Sequence, residues 1–121
     1  MTYDPLSEVN DEPLNVDANV LERLRGYRLG AKLTQLPGVD VSEERERLLK
    51  NLDKLVDRLL AGIEKNPTKR WVLEQFQPSL EAAESEDTEG REHFGTELEM
   101  IMEILDIDSS DGLLTHYLGG I

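Results

Sequence analysis

Cysteine is absent from the 121 residues, which removes a disulfide framework, a thiolate zinc site and a cysteine nucleophile together. Aromatic residues make up only 5% of the chain, so any core has to be built mainly from leucine, isoleucine and valine. No apolar run approaches the roughly 20 residues of a membrane span, and residues 1–16 lack the basic-then-apolar order of a signal peptide. The expectation is a cytoplasmic protein with no membrane partner. Phosphate-cradling glycine loops are also missing: Gly26, Gly30, Gly38 and Gly119-Gly120 match no such loop with a lysine partner.

Base is scarce at both ends. Residues 1–19 carry five acids and no base, and residues 81–121 carry twelve acids and a single base, Arg91. Between them, residues 20–80 hold nine acids and twelve bases, and the whole chain has a net charge of −13. The acidic last third would repel nucleic-acid phosphates and anionic lipid, so no nucleic-acid partner is expected, whereas a basic protein would be steered towards it.

What is present is helical periodicity. Residues 1–16, with Pro5 and Pro13, read as an extended or disordered acidic arm from which Tyr3, Leu6 or Val9 could dock. Residues 17–121 read as a single helical domain. Asp17 or Asn19 can cap a first helix carrying Val20, Leu21, Leu24 and Tyr27, with a break near Gly30, resumption towards Leu36 and a turn at Pro37-Gly38. A second helix, capped by Asp40 or Ser42, runs to about Lys65. Its wide stripe of Leu48, Leu52, Leu55 and Leu59, broadened by Leu49, Val56, Leu60 and Ile63, suits packing against two neighbours.

A third helix starts at Thr68 with Trp71, Val72, Phe76, Leu80 and Ala83, and Pro78 predicts a kink or a division there. Asp87 or Thr88 caps a fourth, on which Phe94, Leu98, Ile101, Met102 and Leu105 fall within an arc of roughly 100°. Asp108, Ser109 or Ser110 caps a final short helix with Leu113, Leu114 and Tyr117, ended by Gly119-Gly120. The predicted architecture is all-α: a compact bundle of four main helices and a short C-terminal one, preceded by a loose arm.

Several constellations invite chemistry. Glu81-x-x-Glu84 and Glu103-x-x-Asp106 imitate the carboxylate pattern of all-helical, metal-dependent nucleotide pyrophosphatases, and such a hydrolase is the alternative functional reading. That reading needs inward carboxylates, yet Glu103 stands about 180° from Phe94 on the helical wheel. Asp106-x-Asp108-x-Ser110 opens like a calcium loop, but its glycine comes late at Gly112 and Tyr117 occupies the bidentate position. Asp106 and Asp108 therefore belong to a helix end. Glu89, His93 and Glu97 are spaced by four, and the row reads as a solvated face. His116 follows Ser109, Ser110 and Asp111 without a strained nucleophile turn. No catalytic residue, cofactor or metal ligand is assigned, and the chain is not expected to be an enzyme. Trp71 reads as a core anchor or as a half-buried residue packing the third helix onto the second, with a place at a partner interface as the alternative.

Asp87-Thr88-Glu89-x-Arg91-Glu92, Ile101-Met102-Glu103-Ile104-Leu105 and Ser109-Ser110-Asp111-Gly112-Leu113-Leu114 together resemble a family of small bacterial all-helical proteins known only as a domain of unknown function. The resemblance covers residues 76–117 and implies a helical fold with no catalytic residue to carry over. Arg91 is expected to pair with Glu84, Asp87 or another nearby acid. The resulting functional expectation is an interaction module, of the immunity or antitoxin type, that neutralises a basic protein partner. Its docking residues would be Glu89, Glu92, Glu99, Glu103, Asp106, Asp108 and Asp111. A homodimer joining the mixed-charge middle to the acidic third of its mate is a further option.

Overall fold

In the computed structural model, which describes residues 3–34 and 42–119, the leucine stripe of one long helix is the axis of the molecule. This helix, α2 (Ser42–Gly62), places Leu48, Leu52, Leu55, Val56 and Leu59 almost wholly out of water, and Ile63 just past its end is buried with them. The stripe serves three neighbours, one more than expected: α1 (Ala18–Leu29), α3 (Lys69–Ala83) and α4 (Thr88–Ile104). A short α5 (Leu113–Leu118) closes the far side against α3 and α4. No strand occurs among the described residues, so the fold is the all-helical bundle of four main helices and one short one. None of these helices is long and apolar enough to cross a membrane.

The helix starts follow their side-chain caps. Asp17 accepts from the Val20 N–H, Thr68 from the Trp71 N–H and Asp87 from the Gly90 N–H, each supplying an acceptor to an otherwise orphaned donor of a first turn. The residues expected to turn at Pro37-Gly38, to extend the first helix to Leu36 and to cap α2 at Asp40 lie outside the described residues; Ser42 is already the first residue of α2. Up to Thr34 the first helix does not resume. It ends at Gly30, and Leu33 turns inward with a left-handed backbone (φ 58°).

Pro78 does not divide α3. One helix runs through it, and the Arg58 guanidinium donates to the Gln75 carbonyl at 2.7 Å and to Ser79 Oγ at 2.8 Å, bracing the turn on both sides of the proline. Asn51 adds a bond from Nδ2 to the Ser79 carbonyl at 2.9 Å. Near the end of α2, Gly62 lets Trp71 lie against the backbone; a Cβ there would stand 2.5 Å from Trp71 Cζ2. Trp71 is half-buried, the second of the placements expected for it.

The N-terminal arm is docked rather than loose. Asp4 caps a 3-10 turn over Pro5–Glu8, and Leu6 and Val9 join the core. Arg70 donates to the Leu6 and Val9 carbonyls, both at 3.0 Å, and the Arg70 N–H donates to Asp11. Beyond it, Leu14 N–H to Pro67 O and Lys69 N–H to Glu12 O make an antiparallel bridge at the start of α3. The composition, rich in acid and proline, predicts an extended or disordered arm from which Tyr3, Leu6 or Val9 could dock; Leu6 and Val9 do so. Arg70 takes up two of its backbone carbonyls and the Lys69 N–H a third, while Leu6 and Val9 are buried in the core with Leu14 and Val16 packed against it.

Candidate functional site

α4 ends in a reversal that exposes a cluster of carboxylates. Asp106 takes the left-handed conformation (φ 58°), its N–H donates to the Glu103 carbonyl at 3.1 Å, and the Ile107 N–H reaches back to the Met102 carbonyl at 2.8 Å. This is the paired-bond termination in which an aspartate stands where glycine is commonest, with buried Met102 and Ile107 packed behind it. The calcium-loop pattern is thus a helix end, as the position of Gly112 indicated. Glu99, Glu103, Asp106 and Asp108 surround a shallow depression of about 260 Å³ floored by Met102 and Ile107. All four are exposed, as are Glu89 and Glu92 farther up the helix. Among the described residues none of these six forms an ion pair, and the 45%-exposed Met100 lies beside them.

Asp111 does not belong to that surface. Its carboxylate receives the buried Lys69 ammonium at 2.8 Å and the Asn10 N–H at 2.8 Å, tying the arm, α3 and the approach to α5 together. Those two donors, Lys69 first, hold its pKa below the usual aspartate value. The turn itself is made by Ser109 Oγ, which accepts from the Asp111 N–H, and by Ser110 Oγ, which accepts from the Leu114 N–H. Asp108 caps nothing and stays exposed.

Glu97 corrects the expected solvated row. It is buried, accepting the Tyr27 hydroxyl at 2.6 Å and the Leu33 N–H at 3.1 Å. The carboxylate therefore fixes both α1 and the inward turn after it onto α4. Burial, and then the hydrogen bond to Glu97, drive the Tyr27 phenol far above its ordinary pKa, so it stays a donor throughout the accessible range. Lys32 completes the corner, giving its ammonium to the Tyr27, Arg28 and Gly30 carbonyls and to Asp53. His93 is half-buried and Glu89 exposed, so the three members of the row sit in three environments.

A second acidic junction forms where α2 meets the start of α4. The buried Glu44 carboxyl lies against Gly90, whose missing Cβ leaves room for it. Burial and the neighbouring Asp87 and Glu86 carboxylates raise the Glu44 pKa. Among the described residues Arg91 forms no ion pair; it donates to the Glu86 carbonyl at 3.2 Å, while Glu86 is held by Arg47 through two bonds of 2.8 and 2.9 Å.

Another depression lies along the seam of α2 and α3, with a volume of about 490 Å³. Arg47, Lys50, Lys54 and Arg58 line it, with Glu86 the one carboxylate among the described lining residues. Sequence reasoning passed over this site. Its signal was present: the four cations recur at i, i+3, i+7 and i+11, within an arc of about 80° beside the leucine stripe.

The carboxylates of the pyrophosphatase-like pattern, Glu81, Glu84, Glu103 and Asp106, are all exposed. Among the described residues no three acid or histidine side chains gather closely enough to hold a metal ion. His116 is exposed and packs between the rings of Tyr3 and Tyr117, with centroids 5.5 and 4.9 Å away.

Nothing among curated proteins and nothing among solved structures matches the chain. A family model does, over residues 15–121, reaching well beyond the segment that carried the resemblance and starting near the end of the docked arm. The chain belongs to that family, a domain of unknown function designated DUF4844.

Proposed function

We propose that this protein is a protein-binding module whose docking surface is the carboxylate cluster at the end of α4. The observation that carries the reading is the absence of compensation: Glu99, Glu103, Asp106 and Asp108 crowd one depression, and no described cation pairs with any of them. Crowded carboxylates repel one another, and a basic surface seated on them relieves that repulsion while speeding encounter. The apolar floor of Met102 and Ile107, with Met100 at the side, offers the contact area that charge alone does not supply. Glu89 and Glu92 extend the negative field along α4, and Asp111 serves the fold instead.

The partner fitting this surface is a basic protein, and neutralisation of a toxin by a bacterial immunity-type protein in the cytoplasm is the biological setting we favour. Co-purification from the source cell tests it. Wild-type protein should recover one basic partner in fixed stoichiometry. The Glu99→Gln, Glu103→Gln, Asp106→Asn, Asp108→Asn protein should lose it. Repeated recovery of the wild-type chain alone contradicts the reading.

A further inference from the structure

The seam of α2 and α3 has the opposite sign to the rest of the molecule, and it is shaped differently from the acidic surface. Its volume of about 490 Å³ is that of a site for a small molecule. Lys50 and Lys54 stand on successive turns of α2 with no described partner for either ammonium. The Arg58 guanidinium is already fixed in place by the Gln75 carbonyl and Ser79 Oγ, and its buried Nε has no acceptor. Desolvation lowers the pKa of this arginine, which means that a positive charge is being held where water solvates it poorly. The Arg47–Glu86 pair occupies one end of the seam, so the unneutralised charge is concentrated at the other. Opposite the cations, Pro78 and Ala82 of α3 form an apolar wall.

The geometry points to this seam as a binding site for a small organic phosphate, with the phosphate on Lys50, Lys54 and Arg58 and the apolar body against Pro78 and Ala82. Two free ammonium groups supply point charges for a multiply charged anion, and a pre-braced guanidinium adds a donor without loss of side-chain freedom on binding. Lys50 and Arg58 are separated by about 12 Å of helix rise, a span that flexible lysines can close on one compact group. In a chain of net charge −13 such a site would be hidden in the global electrostatics, yet its local field favours the anion.

The test is a titration of the full chain with inorganic pyrophosphate at low ionic strength, followed by amide chemical shifts. Saturable shifts should centre on Lys50, Asn51, Lys54, Ser79 and Ala82. The Lys50→Gln/Lys54→Gln protein should keep its Tm without ligand, since neither lysine is paired, and bind pyrophosphate about tenfold more weakly. Citrate, a carboxylate polyanion, should bind more weakly than pyrophosphate. Neutralising the α4 cluster should leave pyrophosphate affinity unchanged, separating this site from the proposed protein-docking surface. The inference is overturned by the absence of saturable shifts, by equal affinity in the double-lysine variant, or by tighter citrate binding. It is also overturned if sedimentation shows a second copy of the chain occupying the seam, with salt-reversible doubling of mass.

Discussion

The last third of this chain contains two kinds of carboxylate that the sequence writes identically. Glu97 and Asp111 face inward, each taking two donors from distant parts of the chain. Glu99, Glu103, Asp106 and Asp108 face outward and take none from a cation. The difference lies in what packs beside each residue. Tyr27 and Leu33 cover Glu97; Lys69 and the N-terminal arm cover Asp111; nothing described covers the end of α4. Charge in a helical segment therefore marks a structural joint where a neighbour brings donors, and a surface available for binding where none does.

The sharpest way to break this division is at Glu97. Replacing it with alanine strands the Tyr27 hydroxyl and the Leu33 N–H without acceptors, and should cost about 3 kcal/mol, or roughly 10 °C in Tm by calorimetry. Asp111→Ala comes next, because it leaves the buried Lys69 ammonium unpaired and frees the arm; about 2 kcal/mol should be lost, with faster proteolysis ahead of residue 16.

The pH dependence contributed by Asp111 and by the buried Glu44 at the junction of α2 and α4 has opposite signs. Asp111 is held below its ordinary pKa, so its contribution is complete above that ordinary value and disappears as pH falls through the lowered one. Asp111→Asn should flatten the acid limb of a Tm-against-pH curve. Glu44 is raised, so the folded state binds its proton more tightly, and stability falls as pH rises through the raised value. Glu44→Gln should remove that fall. The smallest effect belongs to the outer cluster: each of Glu99→Gln, Glu103→Gln, Asp106→Asn and Asp108→Asn should change stability by less than about 0.5 kcal/mol in urea. Asparagine tolerates the left-handed backbone of residue 106.

Much of the bundle could be read in one dimension. The α2 and α4 stripes, the start of α3 at Thr68 and the helix end at Asp106 all depend on local spacing and are where that spacing put them, and the structure selects Asp17 over Asn19 and Asp87 over Thr88 as caps. What could not be read depends on which neighbour arrives. A helical wheel locates a residue relative to its own stripe only, and Glu97 stands merely about 40° beyond the edge of the α4 stripe. Whether that border is wet or dry is decided by α1, packing from seventy residues earlier through Tyr27. Arg70 likewise gives no local sign that it will hold Leu6 and Val9. The cations of α2 were legible as a row, but counting charge by segment averaged them with the acids around them.

The distinction between joint and docking surface is tested most directly by quantitative capture from source-cell extract with two proteins side by side. One carries the four outer substitutions, the other Asp111→Asn. The outer variant should keep the wild-type Tm and lose the basic partner, while Asp111→Asn should melt earlier and retain it. Recovery of the same partner in the same yield by the outer variant would contradict the account.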